Sequence, residues 1–253
     1  MRILDTSWMT QDEWADLGIG IARALPVERL LELAVETGAQ HILQEDGLEF
    51  DAELETAKIM SESPLLYLRD PVGTIFGPSR RDLKLLELTF EASEKKHRLL
   101  DAVSELVSQL PKSRAILLQA LSITDELYTN AAKNAWDADQ TPFSDSPRNE
   151  GKIEFFAVAD DRRLVLGCRD NFGKLQVRPL LERLHFCAVN GIARSIRNDT
   201  FGAGIGAFTT LESSLSYYAG VEPGANTVVC AALPLGANRR TFDQMPKNIH
   251  LIY

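Results

Sequence analysis

The sequence predicts an α/β protein, and three segments carry that prediction. The run from Ser113 to Trp136 contains neither Gly nor Pro and is rich in Leu, Ala, Glu, Gln and Lys, which predicts one long helix. Lys152 to Ala159 and Arg163 to Arg169 have the composition of strands, and the short acidic turn between them predicts a hairpin. Leu215 to Val221 and Thr227 to Leu235 flank a Pro-Gly turn and predict two further strands.

The composition is that of an ordinary soluble globular protein, with 45% hydrophobic and 25% charged residues over 253 positions. A formal net charge of -9 argues against nonspecific nucleic-acid binding, because phosphate contacts require a surplus of Lys and Arg. The three cysteines form no Cys-x-x-Cys pair, so neither a disulfide framework nor a zinc site is expected. There is no signal-peptide pattern, and no apolar run reaches the roughly 18 residues of a membrane helix. We therefore expect a cytoplasmic protein that does not bind nucleic acid or membrane.

Residues 1 to 80 are predicted to form a small, mainly helical region that serves regulation or dimerisation. Capping-box spacing, a Pro at a first helical turn and apolar patterning predict three helices and one strand. The helices are expected at Thr10–Ala24, Pro26–Thr37 and Asp51–Ser61, and the strand at Pro64–Leu68. Gly77-Pro78-Ser79 is the best boundary, so a second domain is expected at 81–253.

The second domain is predicted to open with a strand and two helices. Leu85 to Ala92 alternates apolar and polar residues at its end like a strand, and Ser93 begins a helix that Pro111 stops after Leu110. The long helix follows, and at about 100° per residue its polar and apolar side chains separate onto two faces. The polar face contains Gln119, Ser122, Glu126, Asn130, Lys133 and Asp137. Simple solvation would be a sufficient reason for such a face in an arbitrary helix.

Two glycine segments add a second interpretation of that polar face. Cys168-Arg169-Asp170-Asn171-Phe172-Gly173 follows an apolar strand, and Gly202-Ala203-Gly204-Ile205-Gly206 opens a helix expected to reach Ser213. Alone, Asp170-Asn171 also fits a plain Asx turn. A dinucleotide-binding fold built on the second segment is disfavoured, because a polar loop with two arginines precedes the glycines where that fold requires a strand.

Three motifs follow one another along the chain: a helix with acidic and amide side chains on one face, an Asp-Asn-x-Gly turn and a Gly-x-Gly-x-Gly loop. In this order they resemble the conserved sequence boxes of the GHKL ATPases. This superfamily includes sensor histidine kinases, gyrase-type ATPases, Hsp90-type chaperones and anti-sigma serine kinases. The strand Leu88-Thr89-Phe90-Glu91-Ala92-Ser93 before a helix is similar to the opening of the anti-sigma serine kinases. The resemblance implies a Bergerat-type, histidine kinase-like ATP-binding domain at 81–253, a two-layer sandwich with a mixed, mostly antiparallel sheet backed by helices.

The same resemblance implies ATP and Mg²⁺ as ligands and assigns roles on the long helix. Asn130 would hold the metal through its amide oxygen, and Glu126, one turn away, would be the catalytic base. Lys133 stands where histidine kinases place a phosphate-contacting lysine. Asn134 stands in the nucleotide site where the family often has histidine.

The strands and the glycine loop would complete the nucleotide site. Asp170 would accept the hydrogen bond of the adenine amino group, Gly173 would let the backbone pass close to the base, and Thr227 would complete the adenine side. The phosphates would lie on the backbone amides ahead of a helix, at Gly202, Gly204 and Gly206.

Two functions follow as hypotheses. One is a regulatory protein serine kinase or anti-sigma-type switch driven by Mg-ATP, with a sigma factor, an anti-anti-sigma protein or a response-regulator-like protein as partner, and with a homodimer possible. The other is a catalytically inactive nucleotide-binding module that sequesters a protein partner. A departure from the family motivates the second, because the glycine of the usual Asp-x-Gly-x-Gly is displaced by one to Gly173 and the second glycine is absent.

Overall fold

The computed structural model describes residues 16–23, 25–47, 49–77, 83–91, 96–139, 152–192, 205–237 and 245–252. These residues form eight strands and eight α-helices, which confirms the predicted α/β class. No helix within these ranges has the length and apolar character needed to cross a membrane.

The eight strands form one mixed sheet. They are β1 Ile19–Ala22, β2 His41–Gln44, β3 Lys84–Glu91, β4 Lys152–Ala159, β5 Arg163–Asp170, β6 Ser216–Glu222, β7 Asn226–Pro234 and β8 Asn248–Ile252. Their order across the sheet is β1-β2-β8-β6-β7-β5-β4-β3. β1 with β2 and β8 with β6 pair in parallel, and every other neighbouring pair is antiparallel. The mixed, mostly antiparallel sheet is therefore confirmed.

Eight helices accompany this sheet. They are α1 Val27–Thr37, α2 Phe50–Glu62, α3 Pro64–Arg69, α4 Pro71–Phe76, α5 His97–Gln109, α6 Leu117–Asp139, α7 Val177–Asn190 and α8 Ile205–Glu212. A 3-10 turn at Arg114–Ile116 leads into α6, which is the long helix predicted from composition. The helix α5 and the strands β3 to β7 also lie within a few residues of their predicted positions.

Helices cover both faces of the sheet. We call front the face that carries Phe155, Tyr217 and Ala231, where α1, α5, α6, α7 and α8 pack in two adjoining hydrophobic clusters. We call back the face that carries Phe156 and Tyr218, where α2, α3 and α4 pack. The helices predicted to back the sheet are present on the front, and α2, α3 and α4 add a further layer on the back.

Two predictions for the first 80 residues are wrong. The expected helix to Ala24 gives way to β1, in which Ile19 and Ile21, two residues apart and so on one face of the strand, both enter the back core. Its first residues, before 16, lie outside the described ranges. The expected strand at Pro64–Leu68 is the helix α3, in which Pro occupies the first helical position.

The predicted boundary near residue 80 does not separate two sheets. β1 and β2 belong to the same sheet as the later strands, and they reach it through β8. The role of residues 1–80 in regulation or dimerisation stays a prediction.

Candidate functional site

The candidate site begins on the polar face of α6. Glu126 and Asn130 lie one turn apart, and the Asn130 amide Nδ2 donates to Glu126 Oε1 over 2.8 Å. Lys133 follows on the same side and is exposed. The opposite side of the helix is core, because Leu127 and Ala131 are about 95% buried.

A cavity of about 530 Å³ lies between α6 and α8, and we call it the helix cavity. It is lined by Ser122, Glu126, Thr129, Asn130, Lys133, Ile205, Gly206, Thr209 and Thr210. The sequence-predicted residues Glu126, Asn130, Lys133 and Gly206 are thus brought together, although 76 positions separate Asn130 from Gly206 along the chain.

Gly206 approaches Glu126 so closely that a side chain at this position would have to displace the carboxyl group of Glu126. A Cβ placed on Gly206 would overlap the carboxyl group of Glu126. The carboxyl group therefore lies directly against the first turn of α8, where helix amides and the helix dipole favour negative charge.

Glu126 is partly withdrawn from water, and this changes its acidity. Burial raises the pKa of the Glu126 carboxyl above its ordinary value, and the negative charge of Asp125 acts in the same direction. The hydrogen bond from Asn130 and the charge of Lys96 act to lower it without reversing the shift. A carboxylate with a raised pKa is a better proton acceptor, which suits the role predicted for Glu126.

A second cavity of about 520 Å³ lies between α6, α7 and the front of the sheet, and we call it the strand cavity. Its lining includes, from the strands, Cys168, Asp170, Tyr217, Thr227 and Val229, and, from the helices and the loop after β5, Leu127, Asn130, Ala131, Lys133, Lys174, Leu175, Gln176, Pro179, Leu180, Arg183, Ala207 and Thr210. Asn130, Lys133 and Thr210 line both cavities, so the two spaces adjoin.

Asp170 and Thr227 lie side by side in the wall of the strand cavity. They are register partners on β5 and β7 and are 3% and 2% exposed. Asp170 Oδ1 accepts from the backbone N–H of Phe172 over 3.0 Å, so the Asx turn considered from the sequence is present as well. Thr227 Oγ1 is fully buried and has no hydrogen-bond partner among the described residues. A buried hydroxyl without a partner costs free energy, and a ligand in this cavity would remove that cost.

Three positively charged side chains line the strand cavity. Lys133 comes from α6, Lys174 from the loop after β5 and Arg183 from α7. Sequence reasoning missed Lys174, Arg183, Gln176 and Tyr217 as site residues. The proximity of Lys174 to Asp170 in sequence could have indicated the first, whereas Arg183 required knowledge of how α7 packs.

Cys168 also lines the strand cavity without adding reactivity. Burial raises the pKa of its thiol well above the ordinary value, and the neighbouring charge of Asp170 acts in the same direction. Because the thiolate is the nucleophilic form, the protonated thiol of Cys168 is unreactive at neutral pH and only contributes to the cavity lining.

The remaining predicted residues have three different outcomes. Gly173 does not line either cavity; its φ is +57°, its backbone oxygen accepts from Gly224 N–H over 3.1 Å, and a Cβ there would overlap the turn between β6 and β7. Gly202 and Gly204 lie outside the described ranges. Asn134 belongs to α6, but its side chain is outside the described part.

The His, Cys, Asp and Glu side chains of the described part of the chain do not form a metal-binding cluster. No group of three or more His, Cys, Asp or Glu side chains there could hold a metal ion. Mg²⁺ does not need such a group, since it is commonly held by one or two protein oxygens together with substrate phosphates and water. The hydrogen bond to Glu126 fixes the orientation of the Asn130 amide and leaves Oδ1 as its ligand atom.

The chain matches no protein-family model and no curated protein at a significant level.

Proposed function

We propose that this protein is a GHKL-type signalling protein that binds Mg-ATP in the strand and helix cavities and acts as a regulatory protein serine kinase or anti-sigma-type switch. The observation that carries the proposal is the convergence of distant segments on adjoining cavities. Glu126 and Asn130 of α6, Asp170 of β5, Gly206 of α8 and Thr227 of β7 all line them. The mixed sheet with α5 to α8 on its front is consistent with a Bergerat-type ATPase domain.

The chemistry of the cavities supports a nucleotide as the ligand. Each volume falls within the range of about 300 to 1,000 Å³ that is usual for small-molecule sites. The strand cavity offers apolar walls, the acceptor Asp170 and the hydroxyl of Thr227, which has no hydrogen-bond partner within the described ranges; this combination suits a planar base with polar edges. Its lining includes Lys133, Lys174 and Arg183 in a chain with a net charge of -9, so an anionic ligand would be attracted to this place.

Each residue of the helix cavity would have a distinct role in phosphoryl transfer. Asn130 Oδ1 would coordinate Mg²⁺, whose charge, when the ion is bound, stabilises the negative charge on the transferring phosphate. Glu126 would accept the proton of the attacking hydroxyl or water, and its raised pKa favours that step. Lys133 would hold a phosphate oxygen. Gly206, which has no side chain, leaves room for the carboxyl group of Glu126 against α8.

A second candidate is an inactive nucleotide-binding module that sequesters a partner. The specific observation in its favour is the loop after β5, where Gly173 packs against the turn between β6 and β7 and does not line the cavity. The proposed partners are the same in both cases: a sigma factor, an anti-anti-sigma protein or a response-regulator-like protein, with a homodimer and a cytoplasmic location as further expectations.

Calorimetric titration with Mg-ATP tests the binding proposal. We expect wild type to bind and Asn130→Asp to bind differently, because the substitution places a second carboxylate beside Glu126 and alters the metal ligand. Asn190→Asp is the matched control, since Asn190 lies on α7 outside both cavities and its amide donates to the backbone oxygen of Phe186. Equal affinity in wild type and Asn130→Asp, or no binding in either, would contradict the proposal.

Turnover distinguishes the two candidates. The kinase or switch predicts release of phosphate or formation of a phosphoprotein that Glu126→Gln abolishes, while nucleotide affinity is retained. The sequestering module predicts nucleotide binding with neither product, together with recovery of a defined partner by affinity purification in the presence of nucleotide.

A further inference from the structure

A second polar centre lies on the back face of the sheet, outside both cavities. Glu53 of α2 is 2% exposed, and its carboxylate faces three strands. Oε1 accepts from Ser216 Oγ over 2.9 Å and from Arg163 Nη1 over 3.1 Å. The hydroxyl of Tyr218 lies 2.8 Å from Oε1 and 2.7 Å from Oε2. His250 Nε2 is 3.0 Å from Oε2. One side chain of the N-terminal region thus holds β5, β6 and β8 together.

Neighbouring contacts fix the geometry of this centre. The ring of His250 stacks on Tyr218 with centroids 4.7 Å apart, and Asn248 Nδ2 donates to Ser216 Oγ over 3.2 Å. Burial acts to raise the pKa of Glu53, but the hydrogen bond and charge of His250 and the charge of Arg163 outweigh it and hold that pKa below its ordinary value. Glu53 is therefore a carboxylate that its surroundings keep charged.

Strand geometry connects this centre to the strand cavity. Successive side chains of a strand point to opposite faces, so the two β6 residues that contact Glu53, Ser216 and Tyr218, flank Tyr217 on the front. Tyr217 is 2% exposed and lines the strand cavity. The carboxylate of Glu53 therefore holds β6 on both sides of the residue that forms a cavity wall.

Stability alone is a weak reason for such an arrangement. A buried ion pair is often no more stabilising than apolar residues of similar volume, whereas its many fixed hydrogen bonds define one position of the groups involved. We propose that Glu53 is a positioning residue for the nucleotide site, which sets the place of Tyr217 through Ser216 and Tyr218 and makes the N-terminal region a determinant of nucleotide affinity. This inference rests on the proposed function for the identity of the ligand.

Mg-ATP titration of two full-length variants tests the inference. Glu53→Gln keeps the size of the side chain but places an amide donor among hydroxyl, guanidinium and imidazole donors. Tyr218→Phe removes only the hydroxyl and keeps the ring. We expect Glu53→Gln to bind Mg-ATP about tenfold more weakly, within the range that residues without ligand contact commonly exert, and Tyr218→Phe to weaken binding in the same direction to a smaller extent.

Leu54→Ala is the matched control. Leu54 is the next residue of α2, is 7% exposed and packs with Ile19, Ile21 and Leu43 in the cluster against β1 and β2. Its truncation loosens the same helix without removing a contact to β6, so its affinity should change by less than about twofold at a temperature where all variants are folded.

The outcomes separate the two proposals. Binding by wild type with equal binding by Glu53→Gln overturns the positioning role alone, and so does an equal loss in Leu54→Ala. No binding by wild type overturns the proposed function, and the positioning role with it. If Glu53→Gln does not fold, Tyr218→Phe decides: weaker binding supports the inference, and unchanged binding contradicts it.

Discussion

Acidification should weaken the fold through His41, a fully buried residue of β2. Its Nδ1 lies 3.3 Å from Nδ1 of His250, its register partner on β8. Burial, together with the charge of His250, lowers the pKa of His41 from 6.5 to about 2. In the unfolded chain the ring titrates at its ordinary value, so between these two values the unfolded state binds a proton that the folded state excludes.

The sign and size of the effect follow from this difference. The contribution of His41 to stability is complete above the unfolded pKa of 6.5 and is lost progressively as the pH falls toward the folded value. Each pH unit in that window costs about 1.4 kcal/mol, so a change from about pH 6.5 to about pH 5 should remove about 2 kcal/mol from the free energy of unfolding. That is a large fraction of the stability of a typical domain, about 5 to 15 kcal/mol.

Urea unfolding followed by far-UV circular dichroism across this pH range measures the effect. Other groups titrate as well, so the informative quantity is the difference between wild type and His41→Asn, in which the ring is absent. Wild type should lose more stability per pH unit than the variant, by about 1.4 kcal/mol. Parallel pH profiles for the two proteins would refute the reasoning.

Three further substitutions should separate stability from binding. Gly173→Ala should lower the free energy of unfolding by more than about 1 kcal/mol, because φ is +57° and the new Cβ would overlap the backbone of Glu222; an unchanged melting temperature would contradict this. Gly206→Ala should displace the carboxyl group of Glu126 and change the affinity for Mg-ATP measured by calorimetry. An affinity equal to that of wild type would contradict this prediction. Thr227→Val should leave the free energy of unfolding unchanged or raise it by about 1 kcal/mol, since it removes a buried hydroxyl without a described partner, yet weaken Mg-ATP binding; a destabilised variant of normal affinity would count against the proposed role.

Local pattern was sufficient for the parts of the fold that depend on near neighbours. The long helix α6 was predictable because its apolar residues, such as Leu127 and Ala131, repeat with the helical period and are buried together. The hairpin of β4 and β5 was predictable because only a short turn separates two apolar strands. The site residues were expected from the order of three motifs along the chain and not from local pattern. Six of them line the cavities: Glu126, Asn130, Lys133, Asp170, Gly206 and Thr227.

Distant pairing determined the parts that were missed. The four-residue strands β1 and β2 are too short to show a clear period, and β2 pairs with β8 across about 200 residues of chain. The apolar run in α3 has the composition of a strand. In the structure it is a helix in which Leu65 and Leu66 are exposed and Tyr67 and Leu68 are buried. The role of Glu53 could not be predicted, because nothing near it in sequence indicates that Arg163, Tyr218 and His250 surround it.

The location of β8 between β2 and β6 has a consequence for synthesis on the ribosome. Among the described strands only β8 joins β1 and β2 to the rest of the sheet, so they must wait until residues 248–252 have emerged. At about 5 to 20 residues per second, that interval is on the order of 10 to 40 seconds. Throughout that interval the edge of β2 that later pairs with β8 has no partner strand among the described elements, and an unpaired strand edge is prone to aggregation.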